Sequence, residues 1–247
     1  MFFPILSPEK NTQKLQDYIA SHPERFTDDI QQADNILVAG GDGFMLHSIK
    51  QYHDYNIPFT GINFGNIGFL MNHIDDYDLL PDNQDQYITI TQKLPQVTSI
   101  TPNGEETCCN AVNDIIIGKN LIDFFTFHVS TEQTQQTIQG TGLVLSTAIG
   151  STAYRHKNGG SIIDLDANQR GLMGIATMPF HHQYLTPQTI TIHIEGKKTA
   201  DIGIDGYSGL QTNVNTIIIE NTAHQVQLQF LPSQNLHHKR HQLNNKQ

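Results

Sequence analysis

The run Asn35-Ile36-Leu37-Val38-Ala39-Gly40-Gly41-Asp42-Gly43 constrains the fold more than any other stretch of the chain. Ile36, Leu37 and Val38 form an apolar block without alternation, the pattern of a parallel strand covered on both faces. Met45, Ile49 and Tyr52 then recur at helical spacing between Phe44 and His53, so the glycines occupy a strand-to-helix turn. Glycine there permits positive φ and lets backbone amides approach an anion with no Cβ in the way. The helix N-terminus behind the turn adds donors and a favourable field for phosphate. A carboxylate in such a loop repels phosphate, which suits Asp42 to holding a magnesium ion or to taking a proton from an attacking hydroxyl. By itself the motif also fits a glycine-rich turn in which Asp42 caps the helix.

Strand and helix alternate on either side of this turn. Phe2 to Leu6 reads as a strand, and Pro8 to Ala20 as a helix with Leu15, Tyr18 and Ile19 inward. Ile57 to Asn63 reads as a further strand, closed by Gly61, Gly65 and Gly68. The alternation predicts an α/β domain with a doubly wound parallel sheet over residues 1–86. From Tyr87 the period changes. Ile190, Ile192 and Ile194 alternate with polar residues, as do Val226, Leu228 and Phe230, and Ile115–Ile117, Phe124–Val129, Ile202–Ile204 and Ile217–Ile219 are further short strands. These predict a β-rich second domain over residues 87–231, divided from the first in the Pro81–Gln86 stretch. Two domains of different class imply a crevice, and ligand sites favour crevices. Residues 232–247 are polar and His-rich, with Leu236 and Leu243 as docking points.

A length of 247 residues suits one large domain or two small ones. A formal charge of −10 with only 15% charged residues argues against a nucleic-acid surface or a polybasic membrane contact. No apolar run approaches the roughly 20 residues of a membrane span. Met1 to Ser7 lacks a basic flank and a cleavage site, and reads as a first strand; the expected location is the cytoplasm. The two cysteines, Cys108 and Cys109, are neighbours that point to opposite faces of an extended segment and do not bridge. Among thirteen histidines the pairs His181-His182 and His237-His238 lack ligand spacing, so structural zinc is not expected; His47, one turn past Asp42, is placed to contact ligand.

Three later segments carry chemistry. Asn113 and Asp114 stand side by side before an apolar strand; an amide beside a carboxylate can read ribose hydroxyls and a base edge, though an Asx turn entering a strand has the same sequence. From Gly140 to Tyr154 a strand runs into small hydroxyl residues around Gly150, among them Thr141, Ser146, Thr147, Ser151 and Thr152, followed by Arg155, Lys157, Gly159 and Gly160. Small residues let a base and its ribose come close, Tyr154 can pack on the base, and Arg155 or Lys157 can meet phosphates. The plainer alternative is a Ser/Thr-capped helix start with Tyr154 in the core. Asp205-Gly206 reads as a hairpin turn.

In order and spacing, Gly40-Gly41-Asp42-Gly43, Gly61-Ile62-Asn63-Phe64-Gly65-Asn66-Ile67-Gly68-Phe69-Leu70, Asn113-Asp114, Ser146–Tyr154 with Gly159-Gly160, and Asp205-Gly206 resemble the NAD kinase family, in its bacterial branch. The resemblance implies an α/β first domain, a sandwich-like second domain and a C-terminal tail, 232–247, that packs back on the first. It implies transfer of the γ-phosphoryl group of ATP, with Mg²⁺ or another divalent cation, to the 2′-hydroxyl of the adenosine ribose of NAD, giving NADP. Asp42 matches the family's catalytic aspartate. Gly41 and Gly43 match phosphate binding, Asn113 and Asp114 nucleotide contacts, and Thr152, Ala153 and Tyr154 the segment that holds the dinucleotide. His47, Thr141, Ile149, Arg155 and Lys157 complete the expected nucleotide-binding set. Homodimers or homotetramers are implied as well. Arg155 stands where the family usually has asparagine, Thr141 where it has aspartate, Gln139 where it has arginine, Phe64 where it more commonly has a polar or basic residue and Tyr207 where it frequently has glutamine. Two other readings share part of the pattern. One is a lipid kinase of the diacylglycerol or sphingosine type; the other is a non-catalytic NAD(P)-binding regulator.

Overall fold

The computed structural model describes residues 1–120, 122–177, 188–206 and 211–234, and the backbone alone of 182–185. Two compact units emerge, Met1–Gln92 with the chain from His224, and Lys93–Ala223. The expected divisions at 86/87 and 231/232 differ from these. Strands Ile88–Ile100 and Thr216–Phe230 are continuous through both changes of unit, so no linker marks them in the sequence.

The first unit is built on parallel strands in the order Phe2–Leu6, Asn35–Gly40, Phe59–Asn63, followed by the last residues of Thr216–Phe230, where Leu228 lies opposite Phe59. Every residue of Asn35–Gly40 is buried, as the unalternating apolar block requires. Beyond Phe2–Leu6 the sheet ends in a single parallel bridge, Phe2 to Phe26, with Phe2 N donating to Arg25 O (2.7 Å) and Thr27 N to Phe2 O (2.9 Å). The chain leaves Phe2–Leu6 toward that edge and comes back to start Asn35–Gly40 on the other side, which makes a topological switch point. Leu15 of the helix Gln13–Ser21 shares a cluster with Leu37, Ala39 and Ile62. Met45 of the helix Asp42–Tyr52 covers the opposite face, where a Cβ added at Gly61 would lie 2.7 Å from its Cε. Helices on both faces confirm the doubly wound α/β reading.

The second unit is a two-layer antiparallel sandwich. One layer pairs Ile190–Ile194 with both Thr216–Phe230 and Phe125–Ser130, and the latter with Gln135–Gly140. The other has the order His182–Leu185, Arg170–Ile175, Gly142–Ser146, Asp114–Gly118, Ala200–Ile204, Gln211–Val214. Alternate residues of both layers meet in one cluster, including Ile115, Ile117, Phe127, Val129, Leu143, Leu145, Ile192, Ile202 and Ile217. Period two therefore turns Asp114, Ile116 and Gly118 to the outer face.

Local differences from expectation have local causes. The first helix begins at Gln13, after a turn in which Lys10 N bonds to Ser7 O (3.3 Å). The strand predicted from Ile57 starts at Phe59. Ile217–Ile219 and Val226–Phe230 belong to one fifteen-residue strand. Cys108 and Cys109 are unbridged on the strand Glu106–Asn110, the first exposed and the second packed on the core. The tail from residue 235, with Leu236 and Leu243, lies outside the described residues, as do Tyr207 and His181. No helix among the described residues is long and apolar enough to cross a membrane.

Candidate active site

In the first unit the glycine turn ends the Asn35–Gly40 strand at its carboxyl edge, beside the switch point where open α/β sheets bind ligands. Gly41 precedes the helix in extended conformation, and its carbonyl accepts Phe44 N and Met45 N, each at 3.0 Å. Gly43 is exposed, and a Cβ placed there would meet nothing within 4 Å. The second glycine loop braces the turn. Phe64 N donates to Gly40 O (2.7 Å), and Asn63 holds Gly65 from both sides, accepting its N–H (3.0 Å) and donating to its carbonyl (3.1 Å). Gly68 sits at φ +69°, with no room for a Cβ against Asn63. That geometry brings the next two amides onto Asp42: Leu70 N donates to Oδ1 (2.8 Å) and Phe69 N to Oδ2 (3.0 Å). Each carboxylate oxygen takes one amide and keeps a lone pair for a further partner. His47 is exposed one turn further along the helix, and Phe64 packs on the unit's core, which accounts for an aromatic there.

In the second unit a hollow of about 770 Å³ opens on the outer face of the six-stranded layer. Asn113, Asp114, Thr141, Ala153, Tyr154 and Lys157 line it, with Gly203 supplying a bare floor. Of the nine nucleotide contacts expected in this unit, six converge there and three do not. Ile149 is buried, Thr152 is half-buried, and neither lines the hollow. Arg155 is wholly buried, its Nε donating to Ser161 O at 3.1 Å. Its side chain passes Gly160 and Gly171, where an added Cβ would lie 2.4 Å from its Cγ and 2.5 Å from its Cζ. The expectation that Arg155 meets a phosphate is therefore corrected: the guanidinium is enclosed, and its glycine neighbours are what admit it. Tyr154, by contrast, is 40% exposed, so the alternative that buried it in the core fails.

Asp205 organises the rim, a role the sequence did not announce. At φ +50°, followed by Gly206 at +82°, it accepts the amides of Val112 (2.9 Å), Asn113 (2.5 Å) and Asp114 (3.2 Å). Thr147 completes the frame: its Oγ1 donates to Val112 O (2.7 Å) and accepts Gly150 N (3.1 Å). Gly150 runs so close to Asn113 that a Cβ would fall 1.9 Å from the Asn113 carbonyl oxygen. Ser151 turns inward too, accepting Ile163 N at 3.0 Å. The hydroxyl cluster is thus spent largely on holding the loop. Asp114 is 4% exposed, and burial first, then the neighbouring Asp205 charge, pushes its carboxyl up to about 6 against a bond from the Tyr154 backbone. Thr141, where an acid was expected, donates to Ile175 O at 3.3 Å.

An anion-binding turn on a doubly wound α/β unit, joined to a β-sandwich with an open polar-rimmed hollow, defines a nucleotide-handling class of protein. Residues 4–80 match the ATP-NAD kinase N-terminal domain. The NAD kinase of Rickettsia bellii is 31% identical over 201 residues, covering 78% of this chain and 78% of that protein. Among solved structures, yeast NADH kinase complexed with NADH superposes with a TM-score of 0.79 at 15% identity, over 99% of this chain and 87% of the other. An NAD kinase from Archaeoglobus fulgidus in complex with ATP gives 0.71 at 18%, over 100% and 98%. The chain belongs to the NAD kinase family.

Proposed function

We propose that the protein transfers the γ-phosphoryl group of MgATP to the 2′-hydroxyl of the adenosine ribose of NAD. In the step, the Asp42 carboxylate takes the hydroxyl proton while the ribose oxygen bonds to the γ-phosphorus. The bond from that phosphorus to the bridging oxygen breaks, and ADP departs with the electron pair. Phosphoryl transfer passes through a loose transition state, so positioning and charge stabilisation carry most of the rate. The observation that carries the reading is Asp42 itself: a carboxylate steadied by Phe69 N and Leu70 N on the first turn of a helix whose glycine turn leaves its surface open. An orientation held by two amides suits a base that must meet one hydroxyl. The relatives named NAD kinase and NADH kinase support the choice of acceptor, and the ATP complex supports the donor. Asn113, Asp114, Thr141, Ala153, Tyr154 and Lys157 are the proposed nucleotide contacts, with Tyr154 against a base and Lys157 toward phosphate. Gly41, Gly43 and His47 serve the phosphate end.

The test is NADP formation from NAD and MgATP, followed by a coupled dehydrogenase, with Asp42→Asn as the diagnostic variant. Loss of a general base costs ~10²–10⁴ in rate, so the variant should retain its fold and NAD affinity while kcat falls by that range. Near-normal turnover in Asp42→Asn would remove the aspartate from the chemistry. NAD binding without turnover in the native chain would favour the regulator reading.

A further inference from the structure

The far end of the Asp42–Tyr52 helix carries a second cluster of ligand-type side chains. His53 caps that helix, Asp54 follows in the short turn His53–Tyr55, and His224 projects from the strand Thr216–Phe230. His53 Nε2 lies 3.3 Å from Asp54 Oδ1, and His224 Nδ1 lies 3.7 Å from the same oxygen. One ligand atom from each residue lies within 4.8 Å of the others. The two imidazoles meet edge to face, with ring centroids 5.9 Å apart at 62°, so they do not stack. In a tetrahedral shell with bonds of ~2.0–2.2 Å, neighbouring donors stand ~3.3–3.5 Å apart. One edge of the cluster already has that length and a second is close to it.

His53 supplies an independent observation. Both of its ring nitrogens are shut off from water, and neither has a hydrogen-bond partner among the described residues. Asp54 stands within ion-pair distance of Nε2 but is not aligned as an acceptor. Buried polar atoms of this kind normally have a partner, and the described residues supply none here. A metal ion would complete the ring nitrogen's bonding, with Asp54 contributing the charge. Asp54 is 73% exposed and His224 49%, so an ion has a route in from solvent and water can fill the remaining positions.

We propose that His53, Asp54 and His224 form a binding site for a divalent transition metal, with Zn²⁺ the best match. Imidazole nitrogens with one carboxylate suit zinc, cobalt, nickel or copper; magnesium prefers an all-oxygen shell and several waters. The site stands apart from the phosphate turn: the eleven-residue helix between them spans about 16 Å. Its effect is structural. An ion held there fastens the end of that helix to the strand residue at which the chain re-enters the first unit, and so stabilises that unit.

The experiment uses the full-length chain, stripped with EDTA and titrated with Zn²⁺ alone against a chromophoric chelator. A parallel Co²⁺ titration reads the visible absorption of nitrogen–oxygen coordination. One equivalent should bind and raise the melting temperature. His224→Gln and Asp54→Asn, both at exposed positions, should each weaken that equivalent by more than about tenfold and abolish the thermal shift. A His237→Gln/His238→Gln variant controls for the histidine-rich tail and should bind as the native chain does, as should Asp42→Asn. Zinc affinity unchanged in both His224→Gln and Asp54→Asn would overturn the proposal, as would absence of a first equivalent in the native chain, which would leave His53 and Asp54 as a close contact without a metal.

Discussion

Replacing Asp114 with asparagine should stabilise the protein at neutral pH while impairing nucleotide use. The carboxyl is 4% exposed and is pushed up to about 6 from 3.8, chiefly by burial and then by Asp205. A rise of that size corresponds to about 3 kcal/mol at 1.36 kcal/mol per unit. The sign follows from proton linkage. Between the two values the folded chain holds a proton that the unfolded chain has lost, so stability falls as pH rises through that window. The favourable contribution is complete below about pH 3.8 and gone above about pH 6. Asparagine never ionises, and its carbonyl can still accept the Tyr154 amide. Urea unfolding should therefore find Asp114→Asn more stable than the native chain by up to about 3 kcal/mol at pH 7.5, the advantage closing toward pH 3.5. A difference that stayed constant within about 0.5 kcal/mol across that range would refute the account of Asp114 as a carboxylate ionised at a cost. If Asp114 also contacts the nucleotide, the same variant should show a raised KM for NAD. Stability and function would then move in opposite directions, as expected where a site keeps a strained group for its work.

Two further perturbations test the scaffold around the site. Gly150→Ala places a Cβ 1.9 Å from the Asn113 carbonyl oxygen, a backbone atom that cannot swing aside. It should lower stability by about 1–3 kcal/mol in urea unfolding and raise the KM for NAD, whereas Gly61→Ala, which meets only the ends of Met71 and Met45, should cost less. Asn72→Ala removes a buried amide that donates to Gly61 O (2.9 Å) and Gln229 O (3.1 Å) and accepts Leu231 N (2.8 Å); thermal or urea unfolding should register a loss of about 1–3 kcal/mol, because Leu231 N loses its side-chain acceptor while Gly61 O keeps the Asn72 backbone N–H (2.8 Å).

Much of the fold was legible because its signals are periodic. The unbroken apolar block at Ile36–Val38, ahead of a glycine turn, reads as a strand covered on both faces, and it is buried throughout. Alternation at Ile190–Ile194 placed the isoleucines in the sandwich core. What the sequence concealed lies where strands run on. Asn221 to Gln225 is polar and looks like a break between two short strands, yet those residues carry one strand from unit to unit. The edge of the first sheet beyond Phe2–Leu6 is one bridge at Phe26, too brief to leave a pattern in the sequence.

The site was legible as an inventory and not as a division of labour. Glycines, small hydroxyls and carboxylates are the residues a nucleotide site needs, and they are equally the residues that build tight loops without Cβ clashes or buried unpaired donors. Sequence spacing cannot separate the two uses. The structure separates them by direction. Thr147 holds the Val112 and Asn113 carbonyls, Ser151 turns inward to Ile163 N, Gly150 runs close against Asn113, and Arg155 fills the space that Gly160 and Gly171 leave. Tyr154, Lys157, Thr141 and the Asn113-Asp114 pair face the hollow. Asp205 shows why the distinction matters. Read as a plain turn residue, it gathers three consecutive amides and presses a second charge on Asp114. One carboxylate can thus hold the shape of the rim and, after burial, add to the proton affinity of the group that lines it.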